Sequence, residues 1–380
     1  MLSTAWEQLS ALVPKEVSVK PLLRLLASPL LDVLAGPNGI DRYLAAVNPL
    51  WSVSETRARV LQIRHQTRDT VTLILQPNAN WLGFRAGQHV RLGVEVNGVR
   101  RHRCFSPASS THQRNRLIEI SATVNPAGVV SQYLKHRAEP GEILTMSPAQ
   151  GTFALPVPRP ERLLMISAGS GITPVMSMLR TLCDEDYPGR VTFLHYARTQ
   201  ADMLYRDELY DIARDHPGIT LVCAHTRQRR AGDLHGHLTE EQLNSIDADF
   251  TAAEAYVCGP PGLVDTARDI WTAHGVENRL HTETFTSALT MTAPATKGSV
   301  VRFARSGISA TATGASLLEQ AEASGLRPPF GCRRGICSTC TSRKFSGVVR
   351  HVLTGEASHT EEEQIRLCVS APSGDVTLDL

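Results

Sequence analysis

Cys332, Cys337, Cys340 and Cys368 are spaced C-x4-C-x2-C with a lone cysteine 28 positions on, and no other feature restricts the C-terminal fold so tightly. Four thiolates must converge on one point. This is the plant-type [2Fe-2S] spacing, whereas a structural zinc ribbon offers two C-x2-C pairs rather than an asymmetric run with a distant fourth ligand. Gly331, Gly335, Ser338 and Thr339 let the loop wrap closely and offer N-H groups to the sulfurs. Those hydrogen bonds, with burial, tune the potential of such a centre.

The remaining 300-odd residues must be accommodated too. A chain of 380 residues with 42% apolar content and a formal charge of +2 has room for two or three cores, and is neither disordered nor a small disulfide scaffold. Lys+Arg at 39 against Asp+Glu at 37 leaves no global field for a polyanion, so no nucleic-acid partner is expected. The N-terminus lacks a basic region followed by an apolar one, which points to a cytoplasmic protein with reduced thiols. Leu22 to Leu34, interrupted by Arg24 and Asp32, is too short to span a bilayer.

Pattern changes divide the chain. Residues 1–50 read as a helical arm punctuated by Pro14, Pro21, Pro29 and Pro37, carrying as many acidic as basic residues. That balance favours packing on the next domain over peripheral contact with the cytoplasmic face of a membrane. Residues 51–155 read as short strands, with alternation over Val90, Leu92, Val94 and Val96 and an Asn97-Gly98 turn, which suggests a small antiparallel barrel. Residues 156–285 alternate buried strands (163–168, 191–197, 219–224, 255–258) with helices, the signature of a parallel α/β sheet. Residues 286–298 read as a linker, and 299–380 as a third unit.

Gly169-Ser170-Gly171-Ile172-Thr173-Pro174 follows an apolar strand and opens a helix. Its glycines permit close approach of a pyrophosphate, Thr173 is a candidate cap and Pro174 suits the first helical position. The next strand ends in Ala197-Arg198-Thr199 instead of an acidic residue, which favours the 2′-phosphate of NADPH over NADH, with Asp202 near enough to pair with Arg198. The last strand runs into Cys258-Gly259-Pro260-Pro261-Gly262 at the edge where ligands of such sheets bind. Cys104, Cys183 and Cys223 are expected to be small buried packing residues.

These residues carry a family resemblance. Arg103-Cys104-Phe105-Ser106 resembles the Arg-x-Tyr-Ser flavin motif of the ferredoxin-NADP⁺ reductase superfamily, and Gly128-Val129-Val130-Ser131 resembles its second flavin motif. Gly169 to Pro174, Cys258 to Gly262 and Glu283-Thr284-Phe285 follow in the family's order. The resemblance implies a multidomain protein: an FAD-binding antiparallel β-barrel, an NAD(P)-binding α/β domain and a β-grasp ferredoxin-like domain behind a helical arm. It implies that Arg103 meets the FAD pyrophosphate, that Phe105, where the family has Tyr, lies against the isoalloxazine, and that Ser106 bonds near flavin N5. Gly128, Val129, Val130 and Ser131 would cover the pyrophosphate, Cys258 would sit beside the nicotinamide, and Glu283 would have a catalytic or purely structural role. Electrons would pass from NADPH to FAD to [2Fe-2S] to a protein acceptor.

With its arm and fused tail, the chain resembles the reductase of a membrane-bound di-iron stearoyl-CoA desaturase system, which implies a place in fatty acid desaturation and lipid metabolism. The same modules serve as the reductase of a soluble or Rieske-type oxygenase. A redox-sensing flavin and iron-sulfur protein is the alternative from another class, and a dehydrogenase with its own substrate would need an acid/base group that the sequence does not offer. From Leu326 to Gly355, Arg327, Arg333, Arg334, Arg343, Lys344 and Arg350 stand with no acidic residue. That run predicts a basic face for an acidic partner.

Overall fold

The computed structural model describes residues 40–285 and 299–380, apart from 97, 114, 127, 230–231, 332, 334, 336–337 and 353–354. Most of the arm, all of the linker, Asn97, Arg334, Cys332 and Cys337 therefore lie outside the described residues. The chain forms two compact units, the first holding the flavin-type sheet and the α/β sheet together.

The arm enters the description at α1 (Asp41–Val47), after which β1 (Thr56–Thr67) and β2 (Thr70–Pro77) pair antiparallel. With β3 (Val90–Val96), β4 (Val99–Phe105), β5 (Ile118–Thr123) and β6 (Ile143–Met146) they make a six-stranded sheet ordered β4-β3-β6-β1-β2-β5. An isolated bridge from Pro107 to Ile120 joins the chain beyond β4 to β5, so the expected barrel is curled shut by one contact rather than by a continuous ladder. Inward-facing Val60, Val71, Leu73, Leu75, Val90, Leu92 and Val94 are fully buried, and each such side chain contributes about 1.5–3 kcal/mol. α2 (Val129–His136) lays Val130 and Leu134 on this core.

Next, β7 (Arg162–Ala168), β8 (Arg190–Ala197), β9 (Ile219–His225) and β11 (Glu254–Gly259) pair in parallel, with β10 (Leu234–His235) and β12 (Leu280–Thr284) at the edges, in the order β10-β9-β8-β7-β11-β12. α3 (Ile172–Asp184), α4 (Arg206–Asp215), α5 (Glu240–Ile246) and α6 (Pro261–Ala273) cover its faces. In α6, Leu263, Val264, Ala267, Ile270 and Trp271 recur at helical spacing and all are buried. Phe153 and Leu155, from the end of the barrel segment, join Met165, Val175 and Leu179 in one apolar cluster. That shared core makes two sequence domains one structural unit.

The second unit is a mixed sheet: β13 (Val300–Phe303), β14 (Ile308–Thr311), β15 (Thr341–His351), β16 (Ala357–Ser358), β17 (Glu363–Arg366) and β18 (Ser370–Leu378). β13 runs parallel to β18, whereas the hairpin β13–β14 and the pair β15–β18 are antiparallel. α7 (Leu317–Ala323) starts in a capping box, Ser316 accepting from the Glu319 N-H and Glu319 accepting from the Ser316 N-H. Its Leu317, Leu318 and Ala321 bury against Phe303, Val301 and Leu378, the β-grasp arrangement. Among the described residues no helix is long and apolar enough to cross a membrane.

Candidate functional site

The nucleotide end is built from three consecutive carboxyl edges of the parallel sheet. Beyond β7, Gly169 takes φ +52° and its Cβ position opens on empty space. Gly171 is the opposite case: a Cβ there would overlap the Cys258 carbonyl and stand 2.8 Å from the Gly259 Cα. Glycine at 169 keeps the turn's outer side bare, and glycine at 171 lets it lie flat on β11. Such a bare turn at a helix start is a cradle for an anion.

The helix begins two residues earlier than expected. Gly171 is the N-cap and Ile172 the first helical residue, so Thr173 is inside the helix, its hydroxyl donating to the Ser170 carbonyl at 3.2 Å, and does not cap. Pro174 falls at the third position, where its missing N-H still costs no helical bond. At β11, Pro260 is the N-cap and Pro261 the first residue of α6. Cys258 is fully buried, and β11–β12 pairing sets it opposite Glu283.

Arg198 lies directly past β8 and is not unopposed. Its Nη2 stands 2.6 Å from Asp202 Oδ1 and 3.3 Å from Asp69 Oδ2. The next strand stays in register beyond its end, the N-H groups of Thr226 and Arg227 donating to the carbonyls of Ala197 and Arg198.

On the barrel side, Phe105 packs partly buried against the barrel core. Ser106 is 1% exposed, and its hydroxyl has no hydrogen-bond partner among the described residues. A buried orphan hydroxyl costs free energy unless a bound group satisfies it, and a flavin edge would be such a group. Arg103 donates to the His102 carbonyl at 2.7 Å. Gly128 is the N-cap of α2, with Val129 exposed and Val130 buried. The Ser131 hydroxyl donates to the Gly128 carbonyl and accepts from the Asn125 N-H, both at 3.1 Å, so it fixes the turn that leads into α2.

In the second unit Cys340 and Cys368 are both 2% exposed, brought to the core by the start of β15 and the turn before β18. The Gly335 N-H donates to Cys368 Sγ at 3.2 Å. Arg333, Gly335 and Ser338 all have positive φ, the tight winding a loop needs to turn its N-H groups inward. Soft thiolates with an N-H aimed at sulfur fit an iron-sulfur cluster.

The basic run fares differently. Arg333 forks onto Glu322 and lies 3.8 Å over the Phe330 ring, Arg343 pairs with Glu362, and Lys344 is fully buried against Glu363 at 2.7 Å. The acidic partners lie elsewhere in the sequence and neutralise three of the six cations of the expected basic docking face, and Arg334 lies outside the described residues. Of the remaining cysteines, Cys223 is buried, while Cys183 and Cys104 are only partly so. Burial pushes the Cys183 thiol up to about 12 and the Cys223 thiol up to about 11, which leaves both unreactive.

Two residues at the nucleotide side had no sequence signal. His89, 3% exposed, places Nδ1 3.7 Å from Glu283 Oε1, and Asp69 reaches Arg198 from the β1–β2 turn. Only the tertiary fold brings either into place.

Residues 58–155 match the Oxidoreductase FAD-binding domain, residues 165–269 the Oxidoreductase NAD-binding domain and residues 302–373 the 2Fe-2S iron-sulfur cluster binding domain. A Pseudomonas aeruginosa glycine betaine monooxygenase reductase subunit is 29% identical over 87% of this chain and 96% of its own. The structure of phthalate dioxygenase reductase, described as a modular structure for electron transfer from pyridine nucleotides to [2Fe-2S], superposes with a TM-score of 0.61 at 25% identity, covering 86% of this chain and 98% of that one. A Mycobacterium tuberculosis NADPH oxidoreductase is 39% identical over 90% of this chain and 88% of its own. Likeness of that extent, in the order barrel, nucleotide sheet, cluster module, is kinship rather than shared fold alone, and the chain belongs to the oxidoreductases that combine FAD, NAD(P)H and a [2Fe-2S] cluster in one polypeptide.

Proposed function

We propose that the chain is the reductase component of an oxygenase system, taking electrons from NADPH and delivering them singly to a separate protein acceptor. The observation that carries this is the match across 98% of phthalate dioxygenase reductase, a protein described as a modular structure for electron transfer from pyridine nucleotides to [2Fe-2S]. FAD and the cluster, when bound, supply the change from two-electron to one-electron transfer. The protein supplies alignment. Ser106 would satisfy the flavin edge, the Gly169–Gly171 turn would hold the nucleotide pyrophosphate, and Cys258 would orient the nicotinamide. Cys340 and Cys368, with Cys332 and Cys337, would hold the cluster. NADPH is the coenzyme expected from Arg198 and the one named for the mycobacterial relative.

A stearoyl-CoA desaturase as acceptor has less support. None of the relatives described above is named for one, the arm that leaned toward a membrane partner lies almost wholly outside the described residues, and three of the six cations of the basic run are compensated. The deciding measurement is NADPH-dependent product formation with this chain added either to a soluble oxygenase lacking its reductase or to membranes carrying a desaturase and acyl-CoA. Turnover in the first arm is expected. Turnover confined to the second would overturn the assignment, and failure to reduce ferricyanide or cytochrome c rapidly would point to a redox sensor.

A further inference from the structure

Arg198, Asp69 and Asp202 form a cluster that the activity does not obviously require. One guanidinium nitrogen meets two carboxylates, at 2.6 Å from Asp202 and 3.3 Å from Asp69. Asp202 is held in place by the Thr199 hydroxyl at 2.8 Å, and the Asp69 turn by the Val124 N-H, which donates to the Asp69 carbonyl at 2.8 Å. All three side chains reach solvent, with exposures of 50% for Arg198, 44% for Asp69 and 27% for Asp202. Their formal charges sum to −1, at the strand end beside the Gly169–Gly171 turn.

We propose that Asp69 and Asp202 are coenzyme-selectivity residues: they neutralise Arg198 and hold the preference for NADPH over NADH below what Arg198 alone would give. The inference rests on the reading of Arg198 as the residue facing the ribose 2′ position. A dianionic 2′-phosphate must draw the guanidinium from two carboxylates and approach their charge, whereas the 2′-hydroxyl of NADH is neutral and Asp202 can accept its proton in a hydrogen bond. Asp69 gives the flavin-type sheet a direct part in choosing the nucleotide, since it comes from the β1–β2 turn and not from the nucleotide sheet.

Binding of 2′,5′-ADP and of 5′-AMP to the FAD- and cluster-loaded protein, measured by calorimetry, tests this apart from turnover. Asp69→Asn and Asp202→Asn keep the side-chain shape and remove one charge each. Each is expected to tighten 2′,5′-ADP by about three- to tenfold, the Coulomb effect of one charge on a nearby dianion in a wet site. Affinity for 5′-AMP should stay within about twofold, and the gain should shrink in about 0.5 M salt as the charges are screened. Unchanged 2′,5′-ADP affinity in both Asn variants, with Arg198→Ala weakened, overturns the selectivity role while sparing the reading of Arg198. An Arg198→Ala variant that binds 2′,5′-ADP like the wild type overturns that reading itself.

Discussion

Gly171 rests directly on the Cys258 carbonyl, with no room for even one methyl group between the Gly169–Gly171 turn and the strand that carries Cys258. One contact thus sets the spacing of the two elements proposed to hold opposite ends of the nucleotide. Gly171→Ala should force them apart. Overpacking of this kind costs about 1–3 kcal/mol, so NADP⁺ should bind about tenfold or more weakly. Flavin and cluster absorbance should be unchanged. NADP⁺ titration of the variant checks this, and wild-type affinity would show that the turn adjusts freely.

Gly335 is expected to govern cluster retention. Its φ of +74° lies in the left-handed region, and a Cβ there would come 2.8 Å from a Val369 methyl. Alanine would add about 1–2 kcal/mol of backbone strain before the clash is counted, and would shift the N-H that bonds Cys368 Sγ. Gly335→Ala should lower iron content and visible cluster absorbance while ferricyanide reduction at the flavin continues. Adding Val369→Ala should recover part of the lost iron, because it removes the clash and leaves the strain.

The cysteine spacing and the strand-helix alternation were legible because both are mainly local: three of the four ligands fall within nine residues of one loop, and the buried strands of the α/β sheet are mostly apolar runs. What was not legible is set by partners far away in sequence. Arg343 and Lys344 look like open charge until β15 is paired with β17, which brings Glu362 and Glu363 beside them. Thr173 resembles a cap, but the Gly169–Gly171 turn draws the helix start back to Ile172. Arg198 signalled a phosphate by its type, and Asp69, more than a hundred residues earlier, changes what that charge can do.

Arg180 should be the most sensitive charged position for stability. It is 11% exposed, lies between Glu119 of β5 at 3.0 Å and Glu208 of α4 at 2.7 Å, and also donates to the Ala108 carbonyl. Arg180→Met would leave two carboxylates facing each other in the interior. Losing one member of a buried ionic group costs about 3–5 kcal/mol, a fall in Tm on the order of 10 °C for a unit of this size. Glu119→Gln added to Arg180→Met should restore part of the loss. Thermal melts of the three proteins check this, and a single variant as stable as the wild type would mean that solvent reaches the carboxylates.

His195 should make the protein lose stability in mild acid. Its ring is 1% exposed within the parallel sheet, Nδ1 lying 2.9 Å from the Ser167 hydroxyl, and burial followed by the neighbouring His225 lowers its pKa from 6.5 to about 3. The unfolded chain therefore binds a proton at about pH 6.5 that the folded chain refuses until about pH 3. Stability is complete above the upper value and declines as pH falls through the window, by about 1.4 kcal/mol per pH unit for this one group. Between pH 7 and pH 5 the loss should be about 2 kcal/mol. His195→Gln can keep a hydrogen bond to Ser167 but does not titrate, so its urea midpoint should change less over the same range. If the wild type and His195→Gln lose stability in parallel between pH 7 and pH 5, the acid sensitivity comes from elsewhere in the fold.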